Sequence, residues 1–157
     1  MMSTRQFIAE YVEPSMELFR TNSTVTHLAA HAIAQIDVLA EIVALSTFCG
    51  AQGTAEERAY VREFRDDLGK RHPILAMIRD AHDSHKHGEL HRKTALSVSK
   101  GQRPEAVTQV GFFAGVSFFD DPPTLYQVMV LILDDGTQKE IYQLLFDAKR
   151  AWERELA

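Results

Sequence analysis

The residues best equipped for chemistry crowd into one segment, Ile78-Arg79-Asp80-Ala81-His82-Asp83-Ser84-His85-Lys86-His87-Gly88. Read as a helix, its inner stripe runs Ile74 or Leu75, Ile78, Ala81 or His82, then His85. His82 and His85 are therefore expected to point inward. Arg79, Asp83 and Lys86 fall on a neighbouring face at spacings of four and three, where ion pairs can form. An imidazole near pH 7 can take or give a proton, and a nearby guanidinium can stabilise charge developing on a phosphate. Those parts suffice to cleave RNA through attack of its own 2′-hydroxyl, without a metal. The same residues also have a plain structural reading. Arg79 and Asp83 then form a solvated pair worth ~0.3–0.5 kcal/mol. His85 becomes a hydrogen-bonded core histidine, and Lys86, His87 and His91 are cations favoured at a helix C-terminus.

Arg79 is followed by the polar Asp80, and five residues separate it from His85. This arrangement resembles the HEPN superfamily of helical-bundle proteins. Their hallmark is an arginine, usually followed by a polar residue, with a gap of about four to six residues before a histidine near the end of a bundle helix. His82 and His87 fall outside that gap. The resemblance covers roughly Thr4 to Gly88. It implies that Arg79 and His85 are the catalytic pair, with Asp80 as their polar partner. It also implies RNA binding or RNA cleavage, at a site completed across a homodimer.

A metal site is a second class of chemistry. His27 and His31 are spaced i,i+4, and His82 and His85 are spaced i,i+3, so each pair can share a helix face. If the two helices are neighbours, four imidazole nitrogens could converge on zinc or another divalent ion. Asp37 or Asp83 would then serve as an oxygen ligand or as the acceptor behind a histidine. A third class is a non-catalytic dimeric module, built on a sheet with aromatic residues on both faces.

Other candidates carry less. Cys49 ends an apolar helical run and reads as a buried, inert thiol. Gly111-Phe112-Phe113-Ala114-Gly115 lacks the lysine and following helix of a phosphate-binding loop. Alternation sends Phe112 and Phe118 to one face and Phe113 and Phe119 to the other, which favours core packing over base stacking. Asp120-Asp121 and Asp134-Asp135 read as turn residues.

The elements that must position these residues are mostly helical up to Gly88. Phe7, Ile8, Tyr11 and Val12 form a short apolar face, with Pro14 ending a first turn or starting a second helix. A long helix from about Thr24 to Phe48 carries Val25, Leu28, Ala32, Ile36, Leu39 and Val43 on one stripe. His27, His31, Ala34, Val38, Ile42 and Leu45 form a second stripe, so this should be a central helix with several neighbours. Thr54 with Glu57 is a capping box that opens a charged surface helix to about Gly69. Pro73 opens a fourth helix, running to about His87.

Beyond Leu90 the period changes. Leu90 to Lys100, Phe112 to Phe119 and Leu125 to Leu133 read as three strands of an antiparallel meander, with Gly101 to Thr108 as a polar loop. Thr137 with Glu140 repeats the capping-box pattern, and Ile141, Leu145, Ala148, Trp152 and Leu156 keep helical spacing. The expected fold is α+β in a single domain: a bundle of about four antiparallel helices (4–88), a β-meander (90–133) and a C-terminal helix (137–156).

The 157 residues and 45% hydrophobic content suffice for one compact domain. The formal charge of −5 argues against non-specific coating of nucleic acid or of an anionic membrane. One cysteine excludes an intramolecular disulfide and suits a reducing cytoplasm. The N-terminal residues lack a hydrophobic signal core, and the most apolar run, Val38 to Cys49, is too short to cross a bilayer. The expectation is a cytoplasmic homodimer without membrane attachment.

Overall fold

In a computed structural model the described residues are 3–87, 90, 105–111 and 124–157. The Ser3 hydroxyl accepts from Gln6 N at 3.2 Å, and Gln6 Oε1 accepts from Ser3 N at 3.0 Å, which closes a capping box. Helix α1 (Thr4–Phe7) continues through a π-helical turn, Ile8–Val12, into α2 (Glu13–Thr21). The wider turn lies just before Pro14, whose ring removes a donor and crowds the preceding carbonyl.

The central helix is α3 (Thr26–Thr47), which contacts each of the other described helices. Ala29, Ala32, Ile33, Ile36, Leu39 and Ala40 are its buried face. By length and composition α3 could cross a membrane. Packing on several neighbours is a sufficient reason for that apolarity. Its second stripe is not core, however: His27, His31, Val38 and Leu45 are exposed, and Ala34 and Ile42 are half-buried. Cys49 is also exposed, contrary to expectation, because α3 ends at Thr47 and leaves it in the following loop.

Helix α4 (Ala55–Arg71) starts as expected, with Glu57 N donating to Thr54 Oγ1 at 3.1 Å. The Glu57 carboxylate reaches Gly53 N at 3.2 Å instead of the cap residue itself. Only His72 separates α4 from α5 (Pro73–His87), so the two helices turn sharply against each other. Their approach depends on Gly69, where an added Cβ would lie 3.1 Å from the Ala76 Cβ.

The sheet is antiparallel in the order β1-β2-β3, comprising β1 (Glu105–Gly111), β2 (Thr124–Ile132) and β3 (Gln138–Glu140). Glu105 pairs with Val130, and Val130 with Glu140. The start of β1 differs from expectation. Glu105 to Thr108 is strand where a loop was expected, because β2 offers it a partner. Most of the expected strand at 90–100, and all of that at 112–119, lie outside the described residues. In β2, Met129 and Leu131 join the main core, as does Leu133 just beyond it, while the alternate Val128 and Val130 are buried as well.

Gly136, at φ +81°, turns β2 into β3, and Thr137 N donates to Asp135 Oδ1 at 2.8 Å. Thr137 is thus a turn residue and not a helix cap. Gln138–Glu140 pair with β2 first, and α6 begins only at Ile141 (Ile141–Glu155). Ile141, Leu144, Leu145, Ala148, Ala151 and Trp152 pack its inner face against bundle and sheet together. At its end, Glu155 accepts from Arg71 at 2.6 Å and lies 2.9 Å from His72 Nε2, fastening α6 to the α4–α5 corner.

Ile78 is 1% exposed in that core, whereas Leu18 is 49% exposed. Ile78→Ala should cost about 2–5 kcal/mol by urea unfolding, and Leu18→Ala no more than about 0.5 kcal/mol.

Candidate functional site

Asp37 is the sole Asp, Glu, Lys or Arg between Thr26 and Ala40 of α3, and it falls on the buried side beside Ile36. Arg65 of α4 lies in line with Val61, Phe64 and Leu68, so its guanidinium is carried toward the bundle. Its Nη2 donates to both Asp37 oxygens at 2.6 Å. From α5, His82 Nδ1 lies 2.7 Å from Asp37 Oδ2. Three helices therefore meet at one carboxylate that is only 7% exposed. Burial pushes the Asp37 pKa up, but the hydrogen bond from His82 and the charge and hydrogen bond of Arg65 outweigh it. The carboxyl is held below its ordinary value.

The bond fixes the role of His82. With Nδ1–H donating to the carboxylate, the neutral form of the ring carries its lone pair on Nε2. The ring lies in the wall of an open groove of about 840 Å³ between α3 and α5, with Thr26, His27, His31, His85 and Lys86. Among the described residues no carboxylate lines this groove. The two histidine pairs picked out by spacing both line it.

The inward stripe of α5 differs from expectation. It runs Leu75, Ile78, Ala81, Ser84, leaving His82 half-buried and His85 exposed. Ser84 can occupy the inside because its hydroxyl donates to Ala81 O at 3.0 Å, which satisfies it locally. His85 is consequently not a core histidine.

Arg79 turns the other way. Its Nη1 donates to Asp66 at 2.6 Å, and its Nε lies 3.9 Å from Asp83. It lines a second, much smaller cavity with Asp37, Arg65 and Trp152. Arg79 and His85 thus border different hollows, while Asp80 is buried and partnered. The residue that links the two sides is His82, through Asp37. Arg65 was missed by the sequence reading, although its place on the thin apolar face of α4 was the available signal.

Among the described residues, the set of three whose ligand atoms lie within 4.8 Å of one another is Asp37, His82 and Asp83. It takes only one of the four groove histidines. Both Asp37 oxygens already accept from Arg65, and a guanidinium at that distance opposes a dication. This set does not fit a metal.

Comparison with protein-family models, with curated proteins and with solved structures finds no match for the chain.

Removing the charge from Asp37 leaves Arg65 without its anion, so Asp37→Asn should cost about 3–5 kcal/mol at neutral pH. A carboxyl whose folded pKa is lowered stabilises the fold above its unfolded value of about 4. That contribution is lost as pH falls through the lower, folded value. Urea unfolding between neutral and acidic pH should therefore show the gap between parent and Asp37→Asn closing below about pH 4.

Proposed function

We propose that the groove between α3 and α5 binds RNA and cleaves it by metal-independent acid–base chemistry. The observation that carries this reading is the 2.7 Å bond from His82 to a buried, arginine-held carboxylate, at the wall of a groove with three further imidazoles and an ammonium. His82 Nε2 takes the proton of a ribose 2′-hydroxyl, whose oxygen attacks the adjacent phosphorus. The bond from phosphorus to the 5′ oxygen breaks, and protonated His85 gives its proton to that leaving oxygen. Lys86 offsets the charge on the phosphoryl oxygens. The products are a 2′,3′-cyclic phosphate and a 5′-hydroxyl end.

The reaction class is the one implied by the resemblance to HEPN proteins, with a different assignment of roles. His85 keeps its place at the reacting atoms, but Arg79, tied to Asp66, acts as a positioning residue. Asp80 has no contact with substrate in this reading. The setting is the cytoplasm, with RNA in solution and no membrane.

Mixed-sequence RNA incubated with the protein in EDTA should acquire 2′,3′-cyclic ends. His82→Gln should slow this at least ~100-fold while leaving the circular dichroism spectrum unchanged. Arg79→Lys should retain cleavage. An obligatory divalent ion, or full activity in folded His82→Gln, would overturn the mechanism.

A second reading, a dimeric interaction module without catalysis, is favoured by Val38 and Leu45. They stand 37% and 38% exposed, two turns apart on the α3 stripe that also carries His27 and His31. Sedimentation at roughly tens of micromolar should give a dimer that Val38→Asp dissociates. A monomeric parent would remove this reading, and with it a site shared between two chains.

A further inference from the structure

Beside the Asp37 carboxylate lies a cavity of about 10 Å³ that shares no lining residue with the groove. Its walls include Asp37, Ala40, Arg65, Arg79 and Trp152. Three N–H groups on these residues are buried and find no acceptor among the described residues: Arg65 Nε, Arg79 Nε and Trp152 Nε1. Trp152 is 1% exposed, so solvent outside the fold cannot satisfy it. A buried donor without an acceptor costs about 1–3 kcal/mol. Three such donors, all on residues that line one cavity, point to a ligand that accepts hydrogen bonds.

Size and charge decide which ligand. A cavity of this volume holds about one water-sized sphere. The guanidiniums of Arg65 and Arg79 face the carboxylates of Asp37, Asp66 and Asp83 at 2.6, 2.6 and 3.9 Å, so two positive charges meet three negative ones. Protonating His82 would only bring that sum to zero. A halide would therefore enter a site with no surplus of positive charge, and it is larger than the space. A neutral acceptor fits both limits. Asp37 supplies the complementary acceptor, because its Oδ1 carries one bond, from Arg65, while Oδ2 carries two.

We propose that this cavity is a binding site for one ordered water molecule, which accepts from Trp152 Nε1 and a guanidinium Nε and donates to Asp37 Oδ1. The water then links α6 to the carboxylate that orients His82. It stands whether or not the groove cleaves RNA.

The chain contains one tryptophan, so its indole N–H gives one unambiguous NMR signal. Cross-peaks from that proton to water should appear with opposite sign in NOESY and ROESY spectra, which marks a direct, long-lived contact instead of proton exchange. Replacing chloride by bromide should leave the indole resonance unmoved. In Ala40→Val, whose side chain would fill the cavity, the cross-peak should vanish while the fold persists. Absence of the cross-peak in the parent would overturn the proposal, as would a bromide-dependent shift. A cross-peak that survives in folded Ala40→Val would place the water elsewhere and overturn it too. Should Ala40→Val not fold, the parent spectra alone decide.

Discussion

A carboxylate sunk among apolar side chains cannot remain charged alone, and Asp37 meets that constraint for the whole bundle. Left unpaired, a buried anion costs several kcal/mol. Arg65 and His82 supply the compensation, one from α4 and one from α5. Because both partners must reach the same pair of oxygens, the rotation of α3, α4 and α5 about their own axes is set together. A change in the phase of any of the three would break the arrangement. Apolar packing alone would tolerate several such phases, since Leu, Ile and Ala repack with small losses.

The same carboxylate divides the chemistry of the bundle into two sides. Toward the groove it presents the His82 ring, among imidazoles and an ammonium that can exchange protons with solvent. In the smaller cavity it meets the guanidiniums and Trp152, whose buried N–H groups require acceptors. His82 is half-buried between them. One ring nitrogen is committed to the carboxylate, and the proposed reaction uses the other.

Closure of the bundle comes from the C-terminal third of the chain. Met129, Leu131 and Leu133 deliver one face of the sheet to the same core that Leu145, Ala148 and Trp152 fill from α6. Glu155 secures the end of α6 through Arg71 and His72, at the one-residue corner between α4 and α5. The sheet and α6 thus add to the core without covering the His27–Leu45 stripe, and α3 keeps exposed positions where a central helix would ordinarily have none.

Much of the fold is legible in the sequence. Pro73 and Thr54 marked helix starts because proline and a capping box act within a few residues of themselves. The long apolar helix, the α+β order and the turn at Asp134-Asp135-Gly136 follow from equally local signals. The strand Glu105–Gly111 was not legible, because its polar sequence becomes a strand only when β2 provides hydrogen bonds. Nor was the start of α6, where pairing of Gln138–Glu140 overrode a capping pattern at Thr137. For the site, residue types and spacing along the chain identified the histidines of α3 and α5. Which of them matters is a property of contacts 28 and 45 residues apart in sequence, from Arg65 and His82 to Asp37. Helical period cannot choose between His82 and His85, since both lie at the edge of the same face. By itself the sequence determined the helices and the presence of acid–base groups. The burial of Asp37 in the packed bundle decided that His82, and not His85, would be held by a carboxylate, because only a desolvated charge compels a specific partner.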